Sequence, residues 1–249
     1  MRRNVTVITG GSRGIGAATA RLLGAEGHHL VVGYRRDRDA ADRVVADVVA
    51  AGGRAVACAV DIADEDAVDR LFEVASERLG PVTGLVNNAA ITSRLGPLAD
   101  SDTSDLRSVV EVGVIGYLLC ARRAVRAMST SRGGGGGVIV NVSSAAATLG
   151  SPGEYVHYAA SKAAVDAMTV GLAKEVAAEG IRVNAVAPGT VHTEIHASSG
   201  DPDRATRVAT RIPLGRAGQP EEIAHAISWF LSPGASYASG AVLRVAGGN

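Results

Sequence analysis

The octapeptide Thr9-Gly10-Gly11-Ser12-Arg13-Gly14-Ile15-Gly16 lies between a short Val/Ile run and a helical stretch that starts at Ala17. Few local features constrain a fold more. Glycines let the backbone turn tightly and approach a ligand, and a helix N-terminus presents unpaired N–H groups and partial positive charge to an anion. Strand, glycine turn and helix in that order form a cradle for the pyrophosphate of a dinucleotide. The motif calls for an α/β fold with a parallel sheet.

The rest of the sequence repeats the alternation. Short β-branched runs at residues 5–9, 30–34, 55–60, 84–87, 138–142, 182–186 and 242–245 read as seven strands, and their continuous apolar character predicts burial on both faces. Between two of them, residues 64–79 place Ala67, Val68, Leu71, Phe72, Ala75 and Leu79 on one helical face, behind an acidic first turn. Such strand–helix repetition with right-handed crossovers predicts a Rossmann-type, doubly wound three-layer α/β sandwich around a seven-stranded parallel sheet. No linker divides the 249 residues, so one dinucleotide-binding and catalytic domain over residues 1–249 is expected. The glycine-rich run at residues 133–137 reads as a flexible connection.

Hydrophobic residues make up 47% of the chain but aromatic ones only 3%, so the core must be aliphatic. Twenty-five basic residues balance twenty-five acidic ones, which argues against a nucleic-acid partner. Cys58 and Cys120 sit in apolar stretches and read as inert core thiols rather than a disulfide framework. The first residues carry Arg2 and Arg3 but pass straight into the Val/Ile run, without the pattern of a signal peptide. No stretch reaches the roughly 18 apolar residues of a membrane helix, so a soluble cytoplasmic protein is the expectation.

After the second strand comes Gly33-Tyr34-Arg35-Arg36, with no acid before Asp37. An acid there would meet a ribose 2′-hydroxyl, whereas cations suit a 2′-phosphate. With Arg13 in the glycine turn, the region favours NADP(H) over NAD(H).

In Tyr158-Ala159-Ala160-Ser161-Lys162 the tyrosine and lysine are four apart and share one face of a helix. A nearby ammonium and an oxidised nicotinamide would both favour the phenolate, turning a tyrosine that titrates near pH ~10 into a usable acid and base. Upstream, Val138-Ile139-Val140-Asn141-Val142-Ser143-Ser144 reads as a buried strand that ends in hydroxyls, where ligand-binding residues of an open α/β sheet gather. Opposite pleat directions let only one of the two serines face the ligand.

Together these motifs resemble the short-chain dehydrogenase/reductase family, including members such as 3-oxoacyl carrier-protein reductase and glucose dehydrogenase. The resemblance runs through Thr9–Gly16, Asp61-Ile62, Asn87-Asn88-Ala89, Ser144, Tyr158/Lys162, Pro188-Gly189 with Thr193, and a C-terminal Gly-Gly. It implies an NADP(H)-dependent oxidoreductase acting on a carbonyl or secondary alcohol. Tyr158 would protonate the carbonyl oxygen as hydride arrives, Ser144 would hydrogen-bond that oxygen, and Lys162 would bind the nicotinamide ribose and lower the Tyr158 pKa.

The cofactor contacts implied are Gly10, Ser12, Arg13, Gly14, Ile15 and Gly16 in the turn, with Tyr34, Arg35 and Arg36 after the second strand. Asp61 and Ile62 would lie near the adenine, Asn87, Asn88, Ala89 and Ala90 along the ribose, Pro188 and Gly189 beside the nicotinamide, and Val191 and Thr193 at its carboxamide. Tyr158 and Lys162 would also touch the cofactor. Of the two serines, the family pattern favours Ser144. Tyr155 lacks a lysine four residues on and reads as pocket wall, with Ala145, Leu149, Pro152 and Gly153.

Departures are Gly113, where many relatives carry an asparagine of a proton relay, Ala90 in place of a frequent glycine, and Ala246 before the terminal glycines. Glycine at 113 keeps a backbone carbonyl and permits a helix kink that exposes it to water. The family also implies a mobile substrate loop at residues 190–212. His192 and His196 in it have i, i+4 spacing but no further ligand pattern, so no metal site is expected. His28, His29, His157 and His225 have no partner pattern, although His157 adjoins Tyr158. Family precedent implies a homotetramer through helices at about residues 106–128 and 158–176 and the C-terminal region. Two other readings remain open: a catalytically inactive NADP(H)-binding sensor or scaffold, and epimerisation or dehydration after transient oxidation.

Overall fold

A computed structural model describes residues 4–249, so Arg2 and Arg3 lie outside the described residues. The chain runs β1 (Val5–Ile8), α1 (Gly14–Ala25), β2 (His29–Tyr34), α2 (Arg38–Ala50), β3 (Arg54–Ala59), α3 (Glu65–Arg78) and β4 (Gly84–Asn87). It continues through α4 (Thr103–Val110), α5 (Tyr117–Met128), β5 (Gly137–Val142), α6 (Ala146–Leu149), α7 (Val156–Glu175) and β6 (Ile181–Pro188). The last elements are α8 (Ile195–Ser198), α9 (Arg204–Val208), α10 (Pro220–Leu231) and β7 (Val242–Val245).

All seven strands pair in parallel in the order β3-β2-β1-β4-β5-β6-β7. The chain winds outward from β1 to β3, then crosses back to β4 and winds the other way. β1 and β4 therefore flank the switch point, where the C-terminal strand ends open a crevice. Val7 lies opposite Leu85 and Ile8 opposite Val86 in that central register.

The helix over residues 64–79 forms as its pattern predicts. The Asp64 side chain accepts from the Ala67 amide at 3.1 Å, Glu65 and Asp66 meet the positive helix end, and Ala67, Val68, Leu71, Phe72 and Ala75 are buried. Leu71 and Phe72 are wholly removed from water, which stabilises by about 1.5–3 kcal/mol each. On that side of the sheet they join Tyr117, Cys120, Ala124 and Met128 of α5 and Val165 and Ala173 of α7. A second core packs Ala17, Ala20 and Leu23 of α1, Val44 and Val48 of α2, and Ile223, Ile227 and Phe230 of α10 against the other side. Cys120 is wholly buried and Cys58 half-buried, and burial pushes the Cys120 thiol up to about 12.

Three expectations are corrected. Burial on both faces holds for the central strands but fails at the edges: β3 is mostly half-buried, and β7 is mostly exposed. An edge strand has a neighbour on one side only. Residues 133–137 are not simply a flexible connection, because side chains there would collide with Met128, Gly180 and Thr83. The Gly134 and Gly136 amides donate to Ser129 O and Met128 O, and Gly137 opens β5. Glycine permits close packing here. Finally, the helix expected over residues 106–128 is interrupted by a π-helical turn at Glu111–Gly116, which contains Gly113. Gly113 is itself buried, so the kink does not place it at the surface. Among the described residues no helix is long and apolar enough to cross a membrane.

Candidate active site

The glycine turn is locked by the end of β4. Thr9 Oγ1 accepts from the Asn88 and Ala89 amides at 3.0 and 3.1 Å, while Asn88 Nδ2 donates to Thr9 O at 3.0 Å and Gly10 O at 2.9 Å. Gly10 adopts φ +62°, and a Cβ there would lie 2.9 Å from the Ala89 Cα. At Gly16 a Cβ would run into Gly10 O and come within 2.6 Å of Asn88 Nδ2. No side chain caps the N-terminus of α1. Its amides and the bare glycine backbone thus form a surface to which an anion can come close, and this fits a pyrophosphate.

Arg13, Arg35 and Arg36 are exposed around this turn. Arg35 pairs with Asp61 at 2.8 Å, and Arg36 is in no ion pair among the described residues. Tyr34 is half-buried at the end of β2. This side therefore presents cations, with Asp61 paired to Arg35 and Asp37 capping α2, a surface suited to a phosphate monoester.

The other side of the crevice is built at the end of β5. A cleft of about 470 Å³ joins the glycine turn to Ser143, Ser144, Tyr158 and Lys162. Asn88, Ala89, Ala90, Pro188, Gly189, Val191 and Thr193 also line it. The serines turn opposite ways, as a pleated strand requires. Ser143 is buried and donates to Lys162 O at 3.3 Å, whereas the Ser144 side chain hydrogen-bonds Tyr158 and accepts from the Ala146 amide at 3.1 Å. Lys162, 1% exposed, donates from Nζ to Val142 O at 2.7 Å and to Tyr117 Oη at 3.0 Å. The same Nζ lies 5.7 Å from the centre of the Tyr158 ring. A phenol, a hydroxyl and an amine thus converge in the cleft that the glycine turn opens into.

Residues 10–249 match the family model described as Enoyl-(Acyl carrier protein) reductase. The oxidoreductase YgfF of Escherichia coli (strain K12), named there as uncharacterized, is 48% identical over 98% of this chain and 99% of its own length. Cis-4-hydroxycyclohexanecarboxylate dehydrogenase of Sinomonas cyclohexanicum is 42% identical over 98% of this chain and 95% of its own. Among solved structures, a short chain dehydrogenase from Burkholderia cenocepacia J2315 in complex with NADP has a TM-score of 0.89 and 33% identity, covering 99% of this chain and 97% of that one. The chain belongs to the short-chain dehydrogenase/reductase family.

For a short-chain dehydrogenase/reductase, the electrostatics of the chain alone run against one expectation. Burial raises the Tyr158 phenol above its ordinary value, the Tyr155 phenol adds to this, and the Ser144 hydrogen bond only partly offsets it. Lys162 does not win, because burial brings its own pKa down to about 7, against a smaller opposing effect of Asp166. The amine is committed to Val142 O and Tyr117, not to the phenol.

Some residues expected at the cofactor point elsewhere. Asn87 is wholly buried and donates to Tyr117 O at 3.3 Å and Asn141 Oδ1 at 3.1 Å, so its side chain ties β4 to α5 and β5. Ile62 is buried in the core, where it crowds Gly116. Ser12, Gly16, Tyr34, Arg35, Arg36 and Asp61 are not part of the cleft wall. Gly16 acts through packing, and the others lie at or just past the ends of β1, β2 and β3.

The substrate side also differs from expectation. Ala145, Leu149, Pro152 and Tyr155 line the cleft, but Gly153, at φ +72° in an exposed turn, does not. Residues 190–212 are not a bare loop: they contain α8, α9 and a 3₁₀ turn at Ala209–Arg211. Arg204 of α9 forms a fork with Glu154 at 2.7 and 2.5 Å and donates to Tyr155 Oη at 3.0 Å. His192 precedes α8, so it does not share a helical face with His196, whose Nε2 lies 2.9 Å from Val191 O. His157 is buried with Nε2 2.9 Å from Thr92 O, behind the tyrosine rather than in the cleft.

Sequence reading missed Glu154, Arg204 and Tyr117. For Tyr117 a signal existed: an aromatic at i+4 from the unusual Gly113, in a chain with few aromatics. Glu154 and Arg204 are 50 residues apart and leave no periodic trace.

Proposed function

We propose that this chain transfers hydride between NADP(H) and a carbonyl or secondary alcohol, with Tyr158, Ser144 and Lys162 as its catalytic residues. The observation that carries the reading is the convergence of these three side chains at the end of β5, in one cleft with the uncapped glycine turn of α1. The nicotinamide supplies the hydride when bound. In carbonyl reduction Tyr158 gives its proton to the oxygen, and Ser144 donates a hydrogen bond to that same oxygen. Burial keeps the phenol protonated at neutral pH, which suits reduction. Lys162 faces the cleft as a donor to the cofactor ribose. The relatives named as oxidoreductases or dehydrogenases support the reaction class.

NADP(H) is favoured over NAD(H) because Arg35, Arg36 and Arg13 are exposed near the turn, and the NADP complex of a related structure supports this. Of the acids beside them, Asp61 is paired with Arg35 and Asp37 caps α2 by accepting from the Ala40 amide. Residues 190–212 form the substrate segment of a single catalytic domain, with Val191 and Thr193 toward the nicotinamide.

The decisive experiment measures NADPH and NADH turnover with a panel of aldehydes, ketones and quinones, for the wild type beside Tyr158→Phe. The expected result is NADPH-preferring turnover that falls by about 10²–10⁴-fold in the variant. Tight NADPH binding with no turnover in either direction would instead favour the sensor reading.

The protein also assembles as a homotetramer on this reading. Val110, Ile115 and Leu118 around α4 and α5, Val170 of α7, and Trp229, Tyr237 and Leu243 near the C-terminus are exposed apolar side chains on the surfaces such an assembly would cover. Equilibrium sedimentation that returned a monomer would overturn it.

A further inference from the structure

A buried lysine has three N–H donors and no acceptor, so each donor needs a partner. Two partners of Lys162 belong to the protein: Val142 O at 2.7 Å and Tyr117 Oη at 3.0 Å. Tyr117 opens α5 and is wholly buried, and its hydroxyl donates in turn to Val142 O at 3.0 Å. The three groups close a triangle. The amine also lies 4.6 Å from the centre of the Tyr117 ring, within the range at which a ring face attracts a cation.

The helix break beside it makes room for this arrangement. A Cβ at Gly113 would come 3.0 Å from Ser161 Oγ and 3.2 Å from Ser161 Cβ, next to Lys162 in α7. Glycine there, within the π-helical turn, lets α5 begin close to α7 with Tyr117 directed at the lysine.

We propose that Tyr117 is a positioning residue: its hydroxyl and ring face hold the Lys162 ammonium against the Val142 carbonyl, so that the third N–H is directed into the cleft. This rests on the catalytic reading of Lys162 and goes beyond it. With two corners of a tetrahedral donor fixed, the third has little freedom left. Because Tyr117 Oη gives its own proton to a buried carbonyl, it anchors the amine and offers no proton path to water.

The charged and titratable groups around Lys162 are few. Tyr158 and Asp166 come from its own helix, with Tyr155 edge-on to Tyr158 at 5.3 Å between ring centres. Tyr117 and, behind it, Cys120 come from α5, while Arg244 of β7 acts on Asp166. Burial disfavours the ammonium and Asp166 opposes this; on the proposal, the Tyr117 hydroxyl, as acceptor of one N–H, opposes it as well.

The chain has only two lysines, Lys162 and the exposed Lys174, so the titration of each can be followed in the full-length protein. The test is carbon-13 NMR of lysine-labelled protein across pH, for the wild type and Tyr117→Phe, with alcohol oxidation measured over the same range. Phenylalanine keeps the ring and removes the hydroxyl, both as acceptor from Lys162 and as donor to Val142 O. The Lys162 midpoint is expected to fall by about half to one unit while Lys174 stays put. The acidic limb of alcohol oxidation should move up by a similar amount, because a weaker positive charge leaves the Tyr158 phenolate less favoured.

An unchanged Lys162 midpoint overturns the proposal, whatever the activity. If NMR shows the shift but neither the wild type nor Tyr158→Phe turns over any substrate, the catalytic reading fails while the positioning role stands. Should Tyr117→Phe fail to fold, Tyr117→Met fills the space without an acceptor hydroxyl and carries the same titration.

Discussion

The two walls of the cleft are held by different means. At the β1–α1 turn the partners are mostly backbone: glycines pressed against Gly10 O and the Ala89 Cα, with Asn88 bridging two carbonyls. Across the cleft, residues 190–212 are tied by the backbone near Gly218, where His192 N donates to Gly218 O at 2.9 Å, but α9 is fastened by side chains, with Arg204 gripping Glu154 and Tyr155. A wall made of backbone contacts cannot change a residue without moving the chain. A wall made of a side-chain fork can exchange its parts and keep its path. On the proposed function, the first suits an invariant cofactor and the second a substrate wall that can vary.

The sharpest way to break this comparison is Gly16→Ala. The added methyl group meets Gly10 O and Asn88 Nδ2, neither of which is the loose end of a flexible side chain. The expected loss is about 2–3 kcal/mol of stability, read by denaturant unfolding. NADPH affinity, read by fluorescence titration, should fall at least about tenfold, because any relief of the clash displaces the phosphate cradle. A variant with wild-type stability and affinity would mean that this wall yields as readily as the other.

The contrast also explains what was legible in the sequence. Gly10, Gly14 and Gly16 could be read because a strand, a tight turn and a helix follow one another within a dozen residues. Tyr158 and Lys162 could be read because four residues along a helix bring two side chains to one face. The partner that holds Lys162, Tyr117, is 45 residues away, and the Arg204–Glu154 fork spans 50, so no local period records either contact. Asn87 was misplaced for a related reason. Adjacent residues at a strand end face opposite ways, so Asn88 reaches the glycine turn while Asn87 turns into the core. The glycines at 133–137 were misread because sequence does not distinguish glycine chosen for freedom from glycine chosen for want of space. At Gly134 and Gly137 the reason is space, and at Gly136, with φ +76°, it is space and backbone freedom together.

The side-chain wall predicts smaller and more selective effects. Arg204→Ala removes the fork, which should lower stability by about 1–2 kcal/mol because Glu154 remains partly open to water. KM for the carbonyl substrate should rise while NADPH affinity stays within about twofold, the reverse of Gly16→Ala. Acid should act on the same contact, more weakly. The Arg204 hydrogen bond holds the Glu154 carboxyl below its ordinary 4.5, against the opposing effect of burial. A carboxylate with a lowered folded pKa contributes stability that is fully present above its unfolded value and is lost as pH falls through the folded one. Wild type should therefore lose up to about 1 kcal/mol more than Glu154→Gln on going from about pH 6 to pH 3. Equal acid sensitivity in the two proteins would shift the fastening to backbone bonds, from Leu95 N to Ser199 O at 3.2 Å and from His192 N to Gly218 O at 2.9 Å. In that case the second wall would be built like the first, and substrate choice would have to lie in the lining of the cleft, not in its latch.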